Sequence, residues 1–157
     1  MKPDAPKIYS ENRKARHEYL TLEKFQGGLA LEGWEVKAIR EGGAKLDGAY
    51  LTISRGELWL YGAHIRPYSK ASRVNPFDTE RSRKVLITKK ELLNLAGKTA
   101  VKGLTIVPLA VYFNKVGRAK TDLALVKGKR QYDKRQDIKE KETRRQIERR
   151  MKDRGAK

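Results

Sequence analysis

The chain predicts a mainly β protein: a small antiparallel barrel with helices at its periphery, followed by a basic C-terminal tail. Three observations lead there. Apolar and polar residues alternate over short stretches, YLTIS and ELWLY around Arg55-Gly56, then LTIVPLAVYF and AKTDLALV around Asn114-Lys115-Val116-Gly117. A period of two puts one face of each stretch into a core. Helical spacing is confined to short segments, and strands at close spacing with few helices favour a barrel. At Gly128 the alternation stops and charge takes over, which separates a folded unit, 1–127, from a tail, 128–157.

In chain order, residues 1–7 are charged and Pro-rich and are expected to fray. Tyr19 to Phe25 reads as a strand with Leu20 and Leu22 on one face, Gly27-Gly28 as a bend, and Leu29 to Leu31 as its continuation or neighbour. Trp34 to Glu41 has helical spacing, with Trp34, Ala38 and Glu41 one turn apart, and Gly42-Gly43 stops it. Tyr50 to Ser54 and Glu57 to Tyr61 form a β-hairpin. The stretch from His64 to Lys84, with Pro67 and Pro76, reads as a long loop to which Arg81, Arg83 and Lys84 add charge. Lys84 to Thr88 is a short strand, and Thr88 caps a helix from Lys89 to Ala96 that Gly97 ends. Leu104 to Phe113 and Ala119 to Val126 are strands, with Pro108 at an edge or a bulge. Trp34 and Trp59 are expected in the core.

Charge is the strongest functional signal. Against 19 Asp and Glu stand 37 Lys and Arg, a formal +18. Such an excess repels itself unless a polyanion neutralises it, which favours nucleic acid, ahead of an anionic membrane surface, as partner. No stretch approaches the roughly 20 apolar residues of a membrane span, and the N-terminus holds no apolar run of a signal peptide, so a soluble, intracellular protein is expected. There is no Cys, and His17 and His64 stand apart without ligand spacing, so no metal or other cofactor is expected. P-loop and nucleophile-elbow motifs are absent from the sequence.

Lys127 to Lys157 hold fourteen Lys and Arg against six acids. A segment this polar buries too little carbon to offset its ordering entropy, so alone it is expected to be disordered or at most partly helical. Helix is latent in acid-first pairs at i, i+4: Asp137 with Lys141, Glu140 with Arg144, Glu148 with Lys152. Ile147 and Met151 share a helical face, whereas Ile138 points elsewhere.

In NRKARHEY, Asn12 to Tyr19, the cations Arg13, Lys14 and Arg16 interleave with His17 and Tyr19. Bases stack on rings and guanidinium planes while phosphates take the charge, so this interleaving suits RNA; a basic strand edge with a core tyrosine is the plainer alternative. Glu32, Glu35 and Lys37 in LEGWEVK resemble the acid-x-Lys part of metal-dependent nuclease sites, but no upstream Asp partner is evident. A generic RNA-binding or ribosomal protein is the other competing reading.

Taken together, NRKARHEY, GLALEGWEVKAIREGGAKL, RSRKVLI with the helix after it, GLTIVPLAVYF, and VKGKRQYDKRQDIKEKE closely resemble, in that order, the SsrA-binding protein (SmpB) family. The likeness runs from about residue 8 to residue 152. It implies an OB-like barrel in a bacterial, non-enzymatic protein that binds the tRNA-like domain of tmRNA as a monomer. It further implies delivery of that RNA to stalled ribosomes in the cytoplasm for trans-translation, the tail entering the small subunit's decoding centre and empty mRNA channel as a helix.

Carried over by position, the resemblance implies an RNA-binding surface of Asn12, Arg13, Lys14, Arg16, His17, Tyr19, the Gln26 to Gly28 bend, Trp34, Glu35, Lys37, Lys84, Leu86, Lys127, Lys129 and Arg130. It implies ribosomal contact through Tyr132, Asp133, Lys134, Arg135, Ile138, Lys139, Ile147 and Met151. Gln26 stands where the family often has Glu, and Tyr132 where His also occurs. Thr143 and Arg150 stand where some members carry Trp and Ile.

Overall fold

The computed structural model describes residues 7–71, 77–128 and 141–151. Its frame is two hairpins. In the first, β4 (Tyr50–Ser54) and β5 (Glu57–Tyr61) pair antiparallel from Tyr50 opposite Tyr61 to Ser54 opposite Glu57. Arg55 and Gly56 at its tip both have positive φ, 52° and 73°, the requirement of a two-residue turn whose twist matches the strands. In the second, β8 (Leu104–Phe113) pairs antiparallel with β9 (Ala119–Gly128), and the register shifts between Pro108 and Ala110. Proline donates no ladder bond; of the edge or bulge expected at Pro108, the bulge is what forms, and it absorbs the loss.

The remaining strands of the main sheet are β1 (Ile8–Glu11), β2 (Tyr19–Leu29) and β7 (Arg83–Leu86), in the order β1-β8-β4-β5-β7-β2-β9. The additional β8–β9 pairing brings the far end of this order back to β8, so the sheet curls on itself around its core. With three partners for β8 and β1 outside the curl, the mainly β fold with peripheral helices that was expected takes the form of a large rolled antiparallel sheet and not a closed regular barrel. A second sheet of β3 (Ala44–Lys45) and β6 (His64–Ile65) pairs Ala44 with Ile65. The main core gathers Leu29, Ile39, Leu51, Leu58, Leu60, Val85, Leu95, Ile106, Val111, Leu123 and Leu125.

Among the described residues three helices accompany these sheets: α1 (Arg13–Glu18), α2 (Gly33–Arg40) and α3 (Lys89–Thr99). The chain divides at Lys127/Gly128 into two units. In the second, residues 141–151 form a helix, exposed throughout.

Local expectations fail at several places, including the expected loop from His64, which opens with β6. Gly27-Gly28 is no bend but lies inside β2, where Gly28 pairs with Leu86 of β7. A Cβ on Gly27 would lie 2.7 Å from Val85 Cγ1, so glycine here permits close strand approach instead of a turn. Gly97 does not end α3, which continues to Thr99 and receives its N-cap from the Thr88 hydroxyl. A lone helical glycine costs only about 1 kcal/mol against alanine, and Leu95, wholly buried, anchors the helix past it. The NRKARHEY cluster contains α1, too short for periodicity to reveal. Trp59 is only half-buried and alternates with the core residues Leu58 and Leu60, so it stands on the outer face of the sheet.

Candidate nucleic-acid interface

The basic cluster is held by one side chain. Asn12 accepts at Oδ1 from the Ala15 N–H, 3.1 Å, which caps α1, and donates from Nδ2 to the Pro108 carbonyl, 2.9 Å. Its backbone N–H donates to the Leu109 carbonyl, 2.8 Å. The β8 bulge thus exposes carbonyls that a buried asparagine, 2% accessible, satisfies. Ala15 packs inward against Val107, Ala124 and Val126, with Tyr19 beside them. Arg13, Lys14, Arg16 and His17 consequently all face solvent. Lys14 lies 3.9 Å from Glu18 and Arg16 2.8 Å from Glu11, exposed pairs that water screens.

The helix α2 serves a different end. Its capping box joins Glu32 and Glu35. The Glu35 carboxylate is wholly buried and accepts from Arg81 and Arg83, and Arg83, equally buried, also donates to the carbonyls of Ala63 and Thr79 at 2.9 and 3.1 Å. Further along, Trp34 lies against Phe77, ring centroids 4.6 Å apart, Lys37 stands 5.5 Å over the Tyr68 ring, and Glu41 accepts from the Ser69 hydroxyl at 2.6 Å. The Ser69 bond, aided by Arg66 and Lys70, holds the Glu41 carboxyl below its ordinary value. All of these bonds tie the long connection between β6 and β7 to the helix.

Asn12 and Glu35, both carried over as RNA-binding residues, are buried and bonded within the protein, where they position their neighbours. Arg83 likewise adds its charge to the interior, where a buried carboxylate balances it. The acid that the nuclease reading drew on, Glu35, has its carboxylate engaged by two guanidinium groups. No cluster of His, Cys, Asp or Glu able to hold a metal occurs among the described residues.

The outer face of the sheet carries the rest. Gln26 is exposed and donates from Nε2 to the Tyr112 hydroxyl, which in turn donates to Asp122 Oδ1 at 2.9 Å. Burial, with the carboxylate's charge added, raises the Tyr112 phenol above its ordinary value. Leu86, 55% exposed, stands beside Gly28 on β2, and Lys84 lies 3.0 Å from Glu57. Lys127 is exposed where β9 leaves the sheet. Of the residues expected to meet the ribosome, Ile147 and Met151 lie exposed, one turn apart, in the 141–151 helix. Tyr132, Asp133, Lys134, Arg135, Ile138 and Lys139, with Lys129 and Arg130, lie outside the described residues.

A rolled β-sheet that displays cations from a capped helix and from strand ends defines a basic, nucleic-acid-binding class of protein. A profile of the SmpB protein family matches residues 9–153, and the chain belongs to that family. The SsrA-binding protein of Pelotomaculum thermopropionicum is 49% identical over 150 residues, covering 96% of this chain and 97% of the relative. That of a Sulfurihydrogenibium species is 49% identical over 146 residues, 93% and 95% of the two chains. A solved structure described as "tmRNA-SmpB: a journey to the center of the bacterial ribosome" is 45% identical, with a TM-score of 0.66, covering 82% of this chain and 92% of that one.

Proposed function

We infer that this chain is an RNA-binding adaptor that binds tmRNA through its tRNA-like part and brings it to stalled ribosomes for trans-translation. The observation that carries this reading is membership of the SmpB family across 9–153, with relatives matched over nearly their whole length. The geometry supports it: folded RNA is recognised mainly through phosphates, ribose hydroxyls and a few stacked bases, and α1, Lys84, Leu86 and Lys127 present cations and an apolar contact. The tail then takes the place of missing message in the decoding centre and mRNA channel, with Tyr132 to Arg135 at the centre of the contact. No step of this work needs catalysis, and it belongs in the cytoplasm.

Competition tests the reading. A tRNA-like RNA should displace labelled tmRNA far better than unstructured RNA of equal length, and equal competition would leave only a generic RNA-binding protein. Truncation after Gly128 should keep tmRNA binding while abolishing peptide tagging; parallel loss of both would place the tail in the first RNA contact.

A further inference from the structure

The outer face of the β4–β5 hairpin carries three aromatic rings, Tyr50 exposed and Trp59 and Tyr61 half-buried. Tyr50 and Tyr61 sit directly opposite one another, their rings stacked with centroids 5.7 Å apart and planes 22° off parallel. Gly62, with φ 78°, sets this pair in place, since a Cβ there would lie 3.3 Å from the Gly48 carbonyl oxygen and 3.4 Å from Ala49 Cα. The chain after Tyr61 can therefore close onto the chain before Tyr50. Two residues along β5, about 7 Å by strand geometry, Trp59 continues the same face opposite Thr52. A cross-strand pair also stabilises a hairpin, but Tyr50 remains 45% exposed, leaving ring surface unused.

Cations flank these rings on both sides. On one, Trp59 stands opposite Lys84 of β7, whose ammonium lies 3.0 Å from Glu57 on the same face. On the other, β4 meets β8 through Leu51 and Ile106, both in the core, so Tyr50 and Val107, which alternate with them, face outward. Val107 is the residue that Ala15 of α1 packs against, so the basic helix α1, with Lys14 and Arg16 beside Glu18 and Glu11, lies on the β8 side of the tyrosine pair. Rings between cations, on a chain of net +18, fit a polyanion with flat, unpaired bases better than an apolar protein surface.

We propose that the Tyr50–Tyr61–Trp59 face is a stacking platform for unpaired RNA bases, a second RNA site that recognises single strands and not the tRNA-like fold. Bases stack on the tyrosine and tryptophan rings, and phosphates on either side meet Lys84 and the α1 cations.

The test uses the full chain and a short unstructured RNA carrying 4-thiouridine. Photocrosslinks mapped by mass spectrometry should fall on Tyr50, Trp59 or Tyr61; crosslinks confined to other segments overturn the proposal. Replacing both tyrosines by leucine, which keeps apolar bulk but removes the ring faces, should weaken binding of that RNA roughly 5- to 150-fold per base unstacked. Its salt dependence should stay unchanged, because no phosphate contact is lost. Tyr50→Phe with Tyr61→Phe should bind within about twofold of the parent. Unweakened binding by the leucine variant, or loss in the phenylalanine variant, refutes stacking. Binding of tRNA-like RNA is followed in parallel: its retention in the leucine variant separates this platform from the adaptor function, and its equal loss shows one shared site and overturns the proposal.

Discussion

The Tyr112 hydroxyl has one proton, and it is directed to Asp122. A carboxylate only accepts, so the phenol oxygen must itself accept from the group on its other side, which is the Gln26 amide. This fixes the amide with its NH2 toward the phenol and its carbonyl outward, an acceptor on the outer face of the sheet. Asp122 thereby explains why an amide suits position 26 in this chain.

Gln26→Glu should consequently set two carboxylates against one phenolic proton and destabilise the fold, by no more than about 1 kcal/mol because position 26 is exposed and water screens the repulsion. Asp122→Asn should recover most of that loss, because the new amide can donate to Tyr112 and let it donate to Glu. Urea denaturation of the two single variants and the double variant gives the coupling. Additive losses would mean the three groups do not act as a relay.

The raised Tyr112 phenol also has a pH signature. A group whose folded pKa lies above its unfolded value contributes stability that is whole below the unfolded pKa and is lost as pH rises through the folded one. Stability should therefore decline from about pH 10 upward, Tyr112's ordinary value being 10.0. Tyr112→Phe should flatten that decline relative to the parent, measured as the difference in denaturation midpoint between pH 9 and pH 11.

Glu41 gives the opposite sign. Its carboxyl is held below 4.5, chiefly by the Ser69 hydroxyl, so the contribution is present above the unfolded pKa and disappears as pH falls through the lower folded value. Amide exchange at Ser69, whose N–H donates to Glu41, should accelerate in that acidic window more than exchange in β8. Ser69→Ala should remove the difference, and an unchanged profile would show that the latch does not hold the loop.

How far the sequence could be read follows from the range of each interaction. The hairpins β4–β5 and β8–β9 were legible because alternation and turn chemistry are local, and so was the Pro108 bulge. Helix α1 was not, since six residues make too few turns to show a period; its only local signal is Asn12 ahead of a polar run. Gly27 misled for a related reason: glycine marks both turns and close strand approach, and only the position of Val85 decides between them. The same limit governs the site. Exposed cations follow from composition, but Glu35 and Arg83 are 48 residues apart, and nothing short of the fold shows that their charges cancel inside it.

That buried pair yields a large effect. Glu35→Ala should cost about 3–5 kcal/mol, because it strands Arg83 as an uncompensated interior charge. Replacing both, Glu35→Leu with Arg83→Met, should recover much of the loss, since apolar groups of similar volume often substitute for buried ions without penalty. If the double variant is no more stable than Glu35→Ala, the loss comes from the α2 capping box and not from the orphaned charge.

Asn12 offers the most direct link from fold to RNA. Its Oδ1 caps α1 and its Nδ2 holds the Pro108 carbonyl, so the two functions can be separated. Asn12→Asp keeps an acceptor for the Ala15 N–H and loses the donor to Pro108, while Asn12→Ala loses both. Alanine should cost about 1–2 kcal/mol for the cap alone, and more with the carbonyl left unmatched. Because α1 presents Arg13, Lys14 and Arg16, fraying it should also reduce tmRNA affinity and flatten its salt dependence, as phosphate contacts are lost with the helix. Aspartate should cost at least as much as alanine, because its buried carboxylate would face the Pro108 carbonyl with no donor between them. An alanine variant that loses stability but keeps the parental salt slope would show that α1 holds the sheet without touching RNA phosphates.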